Sequence, residues 1–140
     1  MEIILPRGLR NRNPLNIRKG EKWQGMSAVQ TDRNFVVFDS NAYGYRAAFR
    51  LFKTYVKKYG CNTLRKIISR WAPPSENHTE NYIKEVSRVS GIAQDAAIDL
   101  NDEEQMVAIA TAMAIVENGI KYLDFIKEDE VREGYQLAFG

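Results

Sequence analysis

The segment from Met106 to Val116 constrains the fold more than any other part of the sequence, because ten of its eleven residues are apolar. Thr111 is the exception, and four alanines alternate with larger side chains along the segment. A helix that is apolar on all sides has to be buried on all sides. The rest of the chain is therefore expected to wrap around this helix, and its small alanine side chains let neighbouring helices approach closely.

Signals for helix ends flank this segment. Asn101 and Glu104 have the spacing of a capping box, in which each side chain bonds a backbone N–H near the other. Asn118-Gly119 predicts the opposite end, because glycine readily adopts the left-handed conformation that terminates helices. Glu117 is thus the carboxylate at the carboxyl end of the predicted central helix.

Four other stretches show the apolar spacing of helices. They are predicted to run from a cap at Asp39, Ser40 or Asn41 to Tyr59, from a cap at Asn62 or Thr63 to Trp71, from a cap at Asn77 to the residue before Gly91, and over about residues 129–139. Residues 1–34 show no sustained period, and residues 35–38 form a short β-type run that predicts part of a small sheet. The sequence predicts one mainly α domain over residues 1–140, with a central buried helix and a small irregular β lobe.

The net charge of +2 hides a strong asymmetry. Residues 1–92 carry 17 Lys and Arg against 7 Asp and Glu, a net charge of +10, whereas residues 93–140 carry 3 against 11, a net charge of −8. Such a split predicts either an anionic partner for the first part or two parts that attract each other. No apolar run approaches the roughly 18–20 residues that span a bilayer. The first ten residues have no signal-peptide core, so synthesis in the cytoplasm is expected.

Several kinds of site are disfavoured by what the sequence lacks. It has no G-x-G-x-x-G or G-x-x-x-x-G-K-[ST] motif, so a cradle for nucleotide phosphates is unsupported. One histidine and one cysteine cannot form the usual zinc sites, and no G-x-S-x-G motif is present. His78 is predicted to be a surface residue near a helix cap. We therefore expect neither a metal ion nor another cofactor.

A loop rich in asparagine is the first candidate for ligand binding. Asn13, Asn16 and Arg18 lie in the run of residues 10–18. Asparagine amides offer donors and acceptors together, which suits the acetamido and hydroxyl groups of amino sugars. The alternative, which composition alone favours, is a turn-rich loop whose asparagines bond their own backbone.

A second candidate surrounds the rigid Pro73-Pro74 loop. Trp71 and Tyr82 flank this loop and offer apolar faces on which a sugar ring can stack. We predict that both are at least half buried and lie near each other. The polar side chains that could fix the edges of such a ring are Arg70, Glu76 and Asn77. The alternative, which spacing alone favours, is core packing of the two aromatic side chains together with helix capping.

Glu117 is the candidate for proton transfer. Burial disfavours its charged form, and the negative end of the helix dipole does so too, so both effects raise its pKa. A carboxyl group with a raised pKa suits a general acid that works near neutral pH. The alternatives are a side chain turned to water at a frayed helix end, or one paired with a basic residue.

Three groups of motifs, taken together, resemble a known family. They are Arg10-x-x-Asn13-Pro14-x-Asn16-Ile17, then Phe38-Asp39-Ser40 with Gly44-Tyr45-Arg46-Ala47-Ala48, and Arg70-Trp71-Ala72-Pro73-Pro74-Ser75-Glu76-Asn77-x-Thr79-x-x-Tyr82-Ile83. They cover residues 7–92 and resemble phage and prophage virion proteins with a lysozyme-like domain. The piece Thr79-x-x-Tyr82-Ile83-x-x-Val86 is also similar to the closing segment of lytic transglycosylases, which cleave the glycan strands of peptidoglycan.

The resemblance implies a lysozyme-like fold with a glutamate as acid/base. In lysozyme-like enzymes this glutamate ends an apolar helix that precedes the Asn-Pro loop, whereas here the similar segment, residues 112–119, follows the loop. A circular permutation reconciles the two orders, and it predicts that Glu117 faces residues 13–17 across a cleft. Lytic transglycosylases need no second carboxylate, and for a hydrolase with two carboxylates the candidates are Asp39 and Glu76.

The resemblance therefore implies cleavage of peptidoglycan glycan strands, with Glu117 as the catalytic residue. The predicted substrate-binding residues are Asn13, Asn16, Arg18, Arg70, Trp71, Glu76, Asn77 and Tyr82. The main alternative is a virion structural or wall-binding protein that keeps the groove without activity and contacts other virion proteins. In both cases the chain would act at the cell wall or in a phage particle after delivery. A nucleic-acid-binding protein is disfavoured, because the basic residues at positions 7–18 match no DNA-reading motif.

Overall fold

The computed structural model describes residues 3–74 and 78–140, and this part of the chain is mainly helical. The helices are α1 (Arg7–Arg10), α2 (Asn41–Tyr59), α3 (Leu64–Trp71), α4 (Thr79–Ser90), α5 (Glu103–Asn118), a 3₁₀ helix (Ile120–Phe125) and α6 (Glu128–Phe139). The predicted mainly α fold class is thus confirmed. None of the helices in the described ranges is long and apolar enough to cross a membrane.

Helix α5 lies in the core, as its apolar sequence predicts. Met106, Ala110 and Met113 on this helix are fully buried. Helices α4 and α6 pack against it, and the surrounding cluster of buried side chains extends from Leu15 to Ala138 along the chain. Burying one large apolar side chain contributes about 1.5–3 kcal/mol, so the position of α5 is fixed mainly by packing.

The carboxyl ends of α2 and α4 and the start of α3 follow the predicted signals. Gly60 ends α2 with a left-handed φ of 65°, and Gly91 ends α4 with a φ of 76°. Thr63 caps α3 by accepting a hydrogen bond from the N–H of Lys66. Glycine adopts these φ values without the steric cost that a side chain brings.

Two helix starts differ from the predicted ones. Helix α5 is capped by Asp102, which accepts a hydrogen bond from the N–H of Gln105, and not by Asn101. Aspartate and asparagine suit this position about equally, so sequence alone does not separate two adjacent candidates. Helix α4 begins after His78, an exposed residue as predicted. The predicted cap Asn77 lies outside the described residues.

The predicted small sheet is not present in the described part of the chain. Residues 35–38 make only isolated antiparallel bridges. Asn13 explains the irregularity, because its buried side-chain amide donates to the carbonyls of Ile17 and Val36. A side chain thus takes over hydrogen bonds that a neighbouring strand would make in a regular ladder. The segment before α2 is therefore an irregular lobe without a sheet.

Helix α6 closes the core against α2 and α5. Gly134 lies so close to α2 that a β-carbon there would come within 2.5 Å of the Tyr45 side chain. Arg132 joins α6 to the start of α5 through ion pairs with Glu103 and Glu104, each at 2.7 Å. The other end of α5 lies against the irregular lobe, where α1 contacts it. This end carries the candidate site.

Candidate active site

The Glu117 carboxylate is held by neutral side chains from distant parts of the chain. Asn16 donates from Nδ2 to Oε1 at 2.9 Å, and Tyr82 donates its hydroxyl to Oε2 at 2.7 Å. Glu117 and Asn16 are 101 positions apart, so the predicted proximity of Glu117 to residues 13–17 is observed. Asn16 contacts Glu117 directly, however, and does not face it across a cleft. Glu117 is partly buried and makes no ion pair with any described basic residue. It is therefore neither turned to water nor neutralised by a cation.

Burial raises the pKa of Glu117 above its usual value. The hydrogen bonds from Asn16, Tyr82 and Trp71 lower the pKa, but burial is the larger effect. The pKa of Tyr82 is raised well above its usual value by burial and by the neighbouring carboxylate. Tyr82 therefore remains a protonated donor, and Glu117 is the group of this pair that can release and take up a proton.

Backbone conformation brings Asn16 to Glu117. Asn16 has a left-handed φ of 55°, which asparagine tolerates better than most residues because its short polar side chain bonds locally. Gly8 leaves the necessary space, since a β-carbon there would lie 2.8 Å from the Oδ1 atoms of both Asn16 and Asn118. Asn118 also donates from Nδ2 to the carbonyl of Pro14 at 2.8 Å. The loop and the end of α5 are thus fastened together beside Glu117.

Glu117 opens into a depression of about 370 Å³. This depression is lined by Arg7, Leu15, Asn16, Arg18, Phe35, Trp71, Ala72 and Glu117. A second depression of about 330 Å³ shares Asn16, Arg18 and Trp71 with the first and extends to Trp23. The two depressions are therefore adjacent, and together we call them the groove. A concave surface with aromatic walls and a few polar groups is typical of ligand sites.

Trp71 and Tyr82 are both more than half buried, as predicted. They also lie near each other, because both approach the Glu117 carboxylate. Trp71 packs edge-on against Phe52, with 5.7 Å between ring centroids, and it lines both depressions of the groove. The core-packing interpretation and the ligand-wall interpretation therefore both apply to this side chain.

Two of the predicted substrate-binding residues, Asn13 and Arg70, do not line the groove. Asn13 is fully buried and its amide is satisfied by the backbone of Ile17 and Val36, so it positions the loop and has no surface for a ligand. Arg70 stacks on the Tyr59 ring at 3.3 Å from the centroid and does not line the groove. The prediction that Asn13 and Arg70 contact a ligand in the groove is therefore wrong. Glu76 and Asn77 lie outside the described residues, whereas Asn16, Arg18, Trp71 and Tyr82 meet around Glu117.

No second carboxylate among the described residues lines the depression of Glu117 itself. Asp39, one of the two candidates, is exposed and accepts a hydrogen bond from the Ser27 hydroxyl at 2.8 Å, away from the groove. The other, Glu76, is outside the described ranges. Glu117 is the one acidic residue among the described residues that line its depression, and Glu21 lines the second depression. No three His, Cys, Asp or Glu side chains in the described ranges could hold a metal ion.

An ion pair beside the groove could not be predicted from the sequence. Arg7 donates to the two oxygens of Asp32 through Nε at 2.6 Å and Nη2 at 2.9 Å, and Asn11 adds a donor at 3.0 Å. The Arg7 guanidinium is the main reason that the pKa of Asp32 lies well below its usual range. Arg7 and Asp32 are 25 positions apart in an irregular segment, so no local spacing predicts the pair.

The fold and the groove define a class of protein: a mainly helical domain whose buried helix ends in a partly buried glutamate that faces a groove. The chain is 40% identical over 137 residues to Protein P5 of Pseudoalteromonas phage PM2, and the match covers 95% of this chain and 82% of that protein. The chain therefore belongs to the same family as this phage protein. No profile of a known protein family matches it.

Proposed function

We propose that this protein cleaves the glycan strands of peptidoglycan and that Glu117 is the acid/base. The observation that carries the proposal is the environment of Glu117, a partly buried carboxyl group with a raised pKa that opens into an aromatic-lined groove. The lysozyme-like motifs of the sequence support it. A family that includes a phage protein is consistent with action on a bacterial wall.

The reaction begins with a proton transfer. Protonated Glu117 donates to the glycosidic oxygen, the bond between that oxygen and the anomeric carbon breaks, and the departing sugar leaves as an alcohol. A hydroxyl of the remaining sugar then attacks the anomeric carbon and gives its proton to the Glu117 carboxylate. The product has a cyclic anhydro end, no water is consumed, and Glu117 regains its proton.

Asn16 and Tyr82 have a defined part in this reaction. Both donate hydrogen bonds to the carboxylate, so they stabilise the negative charge that appears on Glu117 when its proton leaves. The substrate supplies the nucleophile, so the reaction needs no second protein carboxylate. Glu117 is the one acid in its depression among the described residues, which favours this transglycosylase type over a hydrolase with two carboxylates.

The test compares the wild type with Glu117→Gln on purified sacculi. Loss of turbidity gives the rate, and mass spectrometry of the soluble products identifies anhydro ends. Glutamine keeps the shape of the side chain and removes its titratable proton, so the rate is expected to fall on the order of 10²–10⁴-fold. Glu133→Gln is the matched control, because Glu133 is exposed on α6.

Each outcome has a clear meaning. A lytic wild type with anhydro products, an unchanged Glu133→Gln and an inactive Glu117→Gln support the proposal. Full activity in Glu117→Gln excludes Glu117 as the acid. Products that carry reducing ends instead of anhydro ends keep the lytic function but show that water is the nucleophile.

A second function is favoured by the same hydrogen bonds. Both carboxylate oxygens of Glu117 already have protein partners, an arrangement that also suits a residue whose task is to hold the loop against α5. The protein would then bind the wall, or other virion proteins, without cleaving glycan. Wild type that sediments with sacculi and releases no product from the walls of several bacteria would identify this function.

A further inference from the structure

Arg18 carries the uncompensated charge of the Glu117 depression. Two arginines line this depression, and Arg7 is neutralised by Asp32. Arg18 is exposed and has no ion pair in the described part of the chain. Among the described residues, the side chains that donate hydrogen bonds to the Glu117 carboxylate are neutral, so Arg18 is not its partner. Its charge is free for a ligand.

The irregular lobe holds Arg18 at the groove wall. An isolated antiparallel bridge sets residue 18 opposite Phe35, and the guanidinium carbon lies 5.0 Å from the centroid of the Phe35 ring. A cation–π contact of this kind contributes about 0.5–1 kcal/mol at an exposed site. It directs the side chain without using the N–H donors. Arg18 also lines both depressions of the groove, so these donors lie along the path of a bound polymer.

The charge asymmetry of the chain favours an acidic ligand. Residues 1–92 carry a net charge of +10 and residues 93–140 carry −8, which would allow the two parts to neutralise each other. Among the ion pairs of the described residues, the one between Arg65 and Asp95 joins the two parts, at 3.2 Å. The basic first part is therefore mostly not neutralised by direct contact with the acidic second part.

We infer that Arg18 binds a carboxylate carried by the sugar next to the cleaved bond, so that the groove selects acidic over neutral glycans. This inference rests on the proposed function. Arginine suits the task because its planar guanidinium forms two parallel hydrogen bonds with a carboxylate. Peptidoglycan offers two sources of this group. One is the peptide attached to the muramic sugar, and the other is the lactyl group of that sugar once the peptide has been removed.

The experiment measures binding in a Glu117→Gln background, which prevents cleavage. The probes are peptide-bearing glycan strands, strands stripped of peptide by an amidase, and a neutral chitin oligosaccharide. Arg18→Gln is expected to weaken binding of at least one acidic probe about 10-fold at low salt, and much less at high salt. Binding of the chitin oligosaccharide should not change. Arg18→Lys should recover part of the loss, and Arg33→Gln, at an exposed position of the same lobe, is the matched control.

The pattern of losses identifies the source of the carboxylate. A loss confined to peptide-bearing strands assigns the peptide, and a loss with stripped strands assigns the lactyl group. The inference is overturned if Arg18→Gln weakens the neutral probe equally, or if it weakens none. Tighter binding of a DNA duplex than of any glycan, lost in Arg18→Gln, would assign the site to nucleic acid instead. If the selective losses occur but the wild type never cleaves a strand, the proposed catalysis fails and the inference stands.

Discussion

Two carboxylates near the groove, Asp32 and Glu117, have opposite environments. Asp32 accepts hydrogen bonds from the Arg7 cation and from Asn11, and its pKa is lowered. Glu117 accepts hydrogen bonds from the neutral side chains of Asn16 and Tyr82, and burial raises its pKa. Both groups are well supplied with donors, so the number of hydrogen bonds does not decide the direction of the shift. The Asp32 side chain is itself only 9% exposed, so the charge of the main donor, cationic Arg7 for Asp32 and neutral side chains for Glu117, decides it.

Arg7 connects the surroundings of Asp32 with those of Glu117. This side chain lines the same depression as Glu117, yet its guanidinium is bound to both oxygens of Asp32. Arg7 is thus the ion-pair partner of Asp32 and not of Glu117. A carboxyl group can therefore keep a raised pKa beside basic residues when it is buried and its hydrogen-bond donors are neutral.

The largest effect on stability among the variants of the Glu117 site is expected from Asn118→Ala. The Asn118 side chain donates to the carbonyls of Pro14 and Ala114, and its loss leaves the Pro14 carbonyl without this bond. The free energy of unfolding should fall by about 2 kcal/mol, which is typical when a buried polar group loses its partner. Urea denaturation measures this change. Asn81→Ala, at an exposed position of α4, should change stability far less, and equal losses in the two variants would contradict the role of Asn118.

A smaller effect on stability is expected from Tyr82→Phe, which should increase the difference in pKa between Glu117 and Asp32. It removes a hydrogen bond that lowers the pKa of Glu117, so this pKa should rise further while that of Asp32 stays the same. The acid form of Glu117 then persists to higher pH, and the alkaline limb of the pH–activity profile should move upward. Stability should fall by about 1 kcal/mol.

A matched variant controls this result. Tyr43→Phe removes the hydroxyl of a partly buried tyrosine, and this hydroxyl makes no hydrogen bond in the described part of the chain. It should leave the profile where it is. An alkaline limb that moves downward in Tyr82→Phe, or that moves equally in both variants, would show that Tyr82 does not tune Glu117.

Much of the helical fold could be predicted from the sequence, because its signals are local. The apolar run of α5 and the glycines that end α2 and α4 depend only on neighbouring residues. The predicted sheet was wrong for a long-range reason, since the buried Asn13 amide bonds the carbonyl of Val36, 23 positions away. The cap of α5 moved by one residue, to Asp102, because adjacent polar residues compete for the same backbone N–H groups.

The candidate site was predicted in part. The meeting of Glu117 with the loop of Asn16 was expected from the resemblance of two separated segments, and no periodicity in the sequence implies it. Whether an asparagine binds backbone or ligand depends on the direction of its side chain. Composition could therefore not distinguish Asn13, which is buried, from Asn16, which faces Glu117. The Arg7–Asp32 pair was missed because its two residues are 25 positions apart and Asp32 lies in no helix or strand.

The most direct test is a carbon-13 NMR titration that follows the side-chain carboxyl signals of Glu117 and Asp32 in one sample. Asp32 should titrate below its ordinary value of 3.8, because the Arg7 cation stabilises its charged form. Glu117 should titrate above its ordinary value of 4.5, because burial destabilises its charged form. It would then hold its proton at a pH where an exposed glutamate is already ionised. A Glu117 signal that titrates at or below 4.5 would contradict the assignment of this residue as the buried acid.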